Sequence, residues 1–186
     1  MDDERRLIRR VQRRGDRVAA DTLVRRYYNE IYRFVRKQVR DESDALDITQ
    51  ETFIGALRTI GGYDSARAGF RTWLYRIATN KVIDFVRSKS RQCAVMPLTD
   101  YQLNDNELIE DSDFTQRVLD GDLIERVQAY LNVQPTDSQR IFRLRLFGGY
   151  TFNEIAAMLS MPLGSVKSRY YRLISQIRKE ESDDER

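Results

Sequence analysis

The chain has 186 residues, with 32 Lys+Arg against 29 Asp+Glu, one cysteine and no histidine. Without histidine there is no Ser-His-Asp or Cys-His catalysis, no histidine zinc site and no haem on a proximal His, and the lone Cys93 closes neither an internal disulfide nor a thiolate cluster, as befits a reducing compartment. Apolar runs are a few residues long, far below the roughly 18 that span a bilayer, and the opening MDDERRLIRR lacks an apolar signal core, so a cytoplasmic chain with no membrane insertion is expected.

The near-balance of charge resolves into blocks along the chain. Residues 1–40 carry 13 Lys+Arg and 6 Asp+Glu, net +7. Between Val18 and Val39 the apolar and aromatic positions Leu23, Val24, Tyr27, Tyr28, Ile31, Phe34, Val35 and Val39 form the broad stripe of a buried helix. Residues 41–65 reverse the sign, with 1 cation and 6 acids. Here Ser43 is expected to cap a helix whose first turn holds Asp44 and Asp47, and Gly61-Gly62 to end it after Ile60. Asp44, Asp47 and Glu51 share one face at i, i+3 and i+7. Such carboxylates could collect magnesium, but no nucleophile or phosphate loop accompanies them. A partner-docking acidic face, with Gln50 and Ile54 beside the carboxylates, is therefore the preferred reading over a carboxylate-metal nuclease.

Residues 66–91 return to 7 cations against 1 acid on a helix expected from Phe70 to about Arg91. Trp73, Arg76, Asn80 and Arg87 share a stripe that Lys81, Lys89 and Arg91 extend. Aromatic and basic side chains together suit single-stranded nucleic acid, where bases stack and cations hold the backbone. Trp73 itself is assigned to core packing, Asn80 and the cations to nucleic acid. Residues 92–113 hold no cation and 6 acids, and Pro97 interrupts any helix. They read as a linker, either a solvated spacer or an anionic strand that occupies a nucleic-acid path until displaced.

A second helical module starts at Leu119, where Leu123, Ile124, Val127 and Leu131 supply an amphipathic helix that Pro135 ends. Asp137 or Ser138 is expected to cap the next helix, SQRIFRLRLF, which stops at Gly148-Gly149. Residues 151–180 read as a helix-turn-helix. Thr151 and Glu154 are spaced as a capping box, and Phe152, Ile155, Ala156 and Leu159 line one buried face. Ser160 to Gly164, with Pro162, cannot continue that helix, and Ser165 is expected to cap a second one. Its core stripe is Val166, Tyr170, Leu173, Ile174 and Ile177, which leaves Lys167, Ser168, Tyr171 and Arg172 on the opposite face and flank, suited to a major groove. No strand-like alternation is found. The expected fold is all-α: two small helical domains, 1–91 and 119–186, joined by an acidic flexible linker, 92–118, with the helix-turn-helix in the second domain.

Three blocks in order, DALDITQETFIGAL at 44–57, FRTWLYRIATNKVIDFVR at 70–87 and YTFNEIAAMLSMPLGSVKSRYYR at 150–172, resemble the bacterial RNA polymerase sigma factors of the extracytoplasmic-function (ECF) group in the sigma-70 superfamily. The resemblance covers nearly the whole chain. It implies a promoter-specificity subunit with no catalytic residue, cofactor or metal, whose partners are core RNA polymerase, promoter DNA as duplex and melted strand, and an anti-sigma protein. By resemblance, Asp47, Gln50 and Glu51 contact a coiled coil of the largest polymerase subunit. The loop from Tyr63 to Gly69 and the following helix capture the melted minus-ten element, with Asn80 at its duplex edge and Arg71, Arg76, Lys81 and Arg87 on the backbone. Ser165, Lys167, Ser168, Tyr171 and Arg172 address the minus-thirty-five element, Arg145 stands just before them, and the acidic linker runs toward the RNA exit path. Leu173 and Asn153 depart from the residues common in the group, so promoter sequence does not transfer. The alternative is a helix-turn-helix regulator that acts without polymerase.

Overall fold

The computed structural model describes residues 2–90 and 124–184, and the expected linker at 92–118 lies outside them. Among the described residues every regular element is helical, and the chain divides into two compact units, Met1–Phe85 and Val86–Arg186.

The basic N-terminal block is two helices rather than one stripe. Helix α1 (Asp2–Arg14) ends where Gly15 takes φ +60°, and Asp16 starts α2 (Arg17–Arg36) by accepting from the Ala19 amide at 3.1 Å. That hydrogen bond, with the Arg10 guanidinium second, holds the Asp16 carboxyl below the usual range. Helix α1 lays Leu7, Ile8 and Val11 on α2, whose own buried face is Ala19, Leu23, Tyr27, Ile31, Phe34 and Val35. Two of its acids also face α2: Asp3 pairs with Arg26 at 2.8 Å and Glu4 accepts from the Tyr27 hydroxyl. Val39, placed on the α2 stripe by periodicity, is buried beyond the helix end.

Helix α3 (Glu42–Thr59) is capped by Asp41, which accepts from the Ser43 and Asp44 amides at 2.8 and 3.0 Å. Ser43 is not the cap, because it already lies within the first turn and its hydroxyl donates to the Asp41 carboxylate. The buried face of α3 is Ala45, Ile48, Thr49, Thr52, Phe53 and Ala56, and the two threonine hydroxyls donate to carbonyls one turn back, so no polar group is stranded there. A 3₁₀ turn, Ile60–Gly62, leads to the loop before α4 (Phe70–Ser90), which buries Leu74, Tyr75, Ala78, Val82 and Ile83.

The second unit contains α5 (Ile124–Asn132), α6 (Thr136–Leu146), α7 (Phe152–Leu159) and α8 (Leu163–Asp184). Neither Asp137 nor Ser138 caps α6. The Pro135 carbonyl accepts from Gln139 at 3.1 Å, which starts the helix at Thr136 and places both candidates inside its first turn. Arg143 of α6 is fully buried, donating to the Asn132 side chain at 3.2 Å, and burial pushes its guanidinium down to about 10. Gln139, also fully buried, donates to the carbonyls of Asn132 and Gln134, so two polar side chains fasten the α5–α6 turn. After α6, Gly149 takes φ +68°, and at Gly148 a Cβ would fall 2.8 Å from the Leu144 carbonyl.

Candidate polymerase and nucleic-acid interfaces

Burial of one face of α3 turns the opposite face outward. Leu46, Asp47, Gln50, Glu51, Ile54 and Leu57 are all exposed, and Ile54 is 49% exposed. Three large apolar side chains, Leu46, Ile54 and Leu57, therefore stand in water beside the carboxylates. Among the described residues no group of three or more Cys, Asp or Glu side chains is placed to hold a metal ion, so Asp44, Asp47 and Glu51 do not converge on one. Instead Glu51 reaches the Lys81 ammonium at 2.9 Å. Gly55 lies beside this pair, where a Cβ would make ordinary contact with the Ile77 and Lys81 side chains of α4. A residue assigned to polymerase and one assigned to DNA are therefore partners of each other, a pairing across 30 positions that no local spacing reveals.

The loop before α4 is a closed structure. The Tyr63 hydroxyl donates to the Ala68 carbonyl at 2.9 Å, the Asp64 carboxylate accepts from the Ala66 amide at 2.9 Å, and Gln12 of α1 donates to the carbonyls of Ile60 and Tyr63. Burial pushes the Tyr63 hydroxyl up. Trp73 is half-buried against Tyr63 and Phe70, with ring centroids 5.2 and 5.5 Å away. It packs on the aromatic side chains at the edge of the core but is not itself fully buried, so its expected place in the core holds only in part. Arg71 is an ion-pair partner of Glu30 on α2, and its guanidinium lies 4.7 Å from the Tyr75 ring centre, while the Tyr75 hydroxyl donates to the same carboxylate at 3.0 Å. Arg76 is exposed, Asn80 and Lys81 are half-buried, and Arg87 is half-buried in the last turn of α4.

In the helix-turn-helix both halves of the capping box form: Thr151 Oγ1 accepts from the Glu154 amide at 3.3 Å and the Glu154 carboxylate accepts from the Thr151 amide at 2.8 Å. Helix α7 buries Ile155 and Met158, with Phe152, Ala156 and Leu159 half-buried. It stops at Ser160, which takes φ 54° so that the Met161 amide reaches back to the Ala156 carbonyl at 3.0 Å. The Pro162 carbonyl then accepts from Val166 at 3.1 Å, which starts α8 at Leu163. Ser165 is consequently the third residue of the helix and not its cap, because the Pro162 carbonyl already accepts the first hydrogen bond of the helix. Val166, Tyr170, Leu173, Ile174 and Ile177 are buried as the periodicity requires. Lys167 and Ser168 are exposed one turn into the helix, with Tyr171 and Arg172 half-buried behind them. Tyr171 joins the Phe152 and Tyr170 rings at 5.7 and 5.5 Å. Arg145 donates to the Tyr150 carbonyl at 3.2 Å and lies 4.8 Å from the Phe152 ring centre, which fixes its guanidinium beside the entry to α7.

Two family models match the chain, Sigma-70 region 2 over residues 23–92 and Sigma-70 region 4 over residues 124–177. The ECF RNA polymerase sigma factor SigW of Bacillus subtilis is 33% identical over 184 residues, covering 92% of this chain and 93% of that one. The chain belongs to the ECF sigma factors. To the RNA polymerase sigma-H factor of Pseudomonas aeruginosa this sigma factor is 34% identical, covering 92% of its own length and 90% of the relative's. Among solved structures it shares its fold with CnrH, determined in complex with the cytosolic domain of CnrY, at a TM-score of 0.59 and 23% identity over 98% of this chain and 99% of that one. The sigma factor RpoE of Bartonella quintana, in complex with the anti-sigma factor NepR, aligns at a TM-score of 0.50 and 16% identity over 86% of this chain and 94% of that one.

Proposed function

We propose that this sigma factor docks on core RNA polymerase through the outward face of α3, with Asp47, Gln50 and Glu51 as polar contacts and Ile54 as the apolar anchor among them. The loop from Tyr63 to Gly69 and helix α4 take the melted minus-ten element, with Asn80 at its duplex edge and Arg71, Arg76, Lys81 and Arg87 along the backbone. Helix α8 takes the minus-thirty-five duplex: Lys167 and Ser168 address base edges, Ser165, Tyr171 and Arg172 border them, and Arg145 flanks the motif. The observation that carries this reading is the coincidence, in one chain, of an acidic face with exposed Ile54 and a capped helix-turn-helix whose second helix exposes Lys167 and Ser168. The functional division follows 1–91, 92–118 and 119–186, with catalysis left to the polymerase, so the chain is not itself an enzyme. It works in the cytoplasm, where its polymerase is, and among the described residues no helix is long and apolar enough to cross a membrane. An anti-sigma protein is the expected regulator, a reading supported by the complexes in which the relatives CnrH and RpoE were solved.

Run-off transcription with purified core polymerase tests the reading. Initiation from a cognate promoter that requires this protein is expected. Promoter binding by the protein alone, with initiation indifferent to its presence, would show instead a helix-turn-helix regulator acting without polymerase.

A further inference from the structure

Helix α1 lies ahead of the segment matched by Sigma-70 region 2, which begins at residue 23. Its outward side consists of Arg5, Arg6, Arg9, Arg10, Arg13 and Arg14, which line a shallow groove of about 800 Å³ with Asp16. At 100° per residue they fill one contiguous half of the helix in two rows, 5-9-13 and 6-10-14, each stepping four residues or about 6 Å. Like charges at this spacing repel. Asp3 and Glu4 of α1 are engaged with Arg26 and Tyr27 of α2 instead. Arg10 pairs with Asp16 at 2.7 Å, and among the described residues the other five arginines have no carboxylate partner. A half-helix of six cations in which a single carboxylate, Asp16, offsets the repulsion is a surface suited to a polyanion.

We infer that the arginine face of α1 binds the phosphate backbone of promoter DNA beside the loop that takes the minus-ten element, gripping DNA without reading its sequence. This rests on the placement of that element against the loop from Tyr63 to Gly69. Three observations favour nucleic acid over an acidic protein. The face has no exposed large apolar side chain to serve as an anchor, whereas α3, proposed for polymerase, exposes Leu46, Ile54 and Leu57. The cations are arginines throughout, whose planar fork suits phosphate. The face is also continuous with the loop: Gln12 ties α1 to the carbonyls of Ile60 and Tyr63, and Arg5 is near enough for its charge to act on the Tyr63 hydroxyl. From Arg5 to Arg14 the helix rises about 14 Å. Duplex DNA presents one charge per ~1.7 Å of axis, so about eight phosphates pass along that length, roughly half of them facing the helix.

The test uses holoenzyme reconstituted from purified core and either the natural chain or Arg6→Gln/Arg9→Gln/Arg13→Gln. Affinity for a promoter fragment is measured from 50 to 200 mM salt, with matched and scrambled minus-ten elements. Three lost phosphate contacts at ~0.9 each reduce the slope of log affinity against log salt by about 2.7, so the fourfold rise in salt weakens the variant roughly 40-fold less. The matched-to-scrambled ratio should stay within about twofold, since backbone contacts carry no sequence information. An unchanged slope, with circular dichroism showing a folded variant, overturns the inference. So does loss of binding to polyglutamate with the DNA slope intact, which would mark a protein-binding surface. If the natural chain fails to direct initiation, the underlying promoter reading falls and takes this inference with it; an unchanged slope alone leaves that reading standing.

Discussion

Replacing Glu51 by arginine should separate docking from folding. In the free protein the Glu51 carboxylate meets the Lys81 ammonium at 2.9 Å, with the two side chains 61% and 35% exposed. An ion pair so open to water is worth about 0–1 kcal/mol, and reversing its sign adds a repulsion of similar size, so the N-terminal unit should lose no more than about 1.5 kcal/mol and stay folded. If the outward face of α3 docks on polymerase as proposed, the same reversal sets a cation where that interface takes a carboxylate. Losing a desolvated charge contact costs about 2–3 kcal/mol, which is roughly a 30- to 150-fold weaker complex. Titration of labelled chain with core polymerase measures the loss, and thermal denaturation measures the folding cost. Lys81→Gln is the control, because it breaks the same ion pair from the α4 side while leaving the α3 face intact. It should keep core affinity within about twofold and weaken promoter binding instead. Glu51→Arg binding core as tightly as the natural chain, or Lys81→Gln losing as much core affinity, would refute the assignment of this face.

The remaining predictions concern the second unit. Arg172→Ala should weaken binding to a matched minus-thirty-five element by about 1–3 kcal/mol and leave a scrambled one little changed; equal losses on both would assign Arg172 to phosphate alone. Thr151→Ala removes the hydroxyl half of the capping box and should cost about 1 kcal/mol in urea denaturation, with Thr151→Ser close to the natural chain; no change in the alanine variant would show the box to be dispensable. Gly148→Ala would place a Cβ 2.8 Å from the Leu144 carbonyl and 2.9 Å from the Tyr150 ring, so the turn into the helix-turn-helix must shift. It should lose about 2 kcal/mol, and a loss below about 0.5 kcal/mol would show the turn to be more pliant than its packing indicates.

Periodicity, caps and breakers together located α2, α3, α4 and α8, and Val166, Tyr170, Leu173, Ile174 and Ile177 are all buried in α8 as their spacing requires; α1, over Asp2–Arg14, went unmarked. Helix starts were read less well. Ser43, Asp137, Ser138 and Ser165 all have cap chemistry, yet each lies inside its helix, because Asp41, the Pro135 carbonyl and the Pro162 carbonyl act first. The break between α1 and α2 had a legible signal in Gly15-Asp16 that the apolar stripe alone did not mark. Buried Arg143 had none, since an arginine in a basic helix looks solvated until its neighbours close over it.

By itself the sequence determined the all-helical character, the capping box, the outward acids of α3 and the outward Lys167 and Ser168 of α8, for these depend on interactions within about four residues. Only the tertiary structure decided that Glu51 holds Lys81, that Arg71 is anchored to Glu30, and that Gln12 fastens the arginine-rich α1 to the loop carrying Tyr63. Those pairings join residues 30 or more positions apart, and a charge or amide brought together over such a span is selected by how the helices pack, which no local spacing encodes.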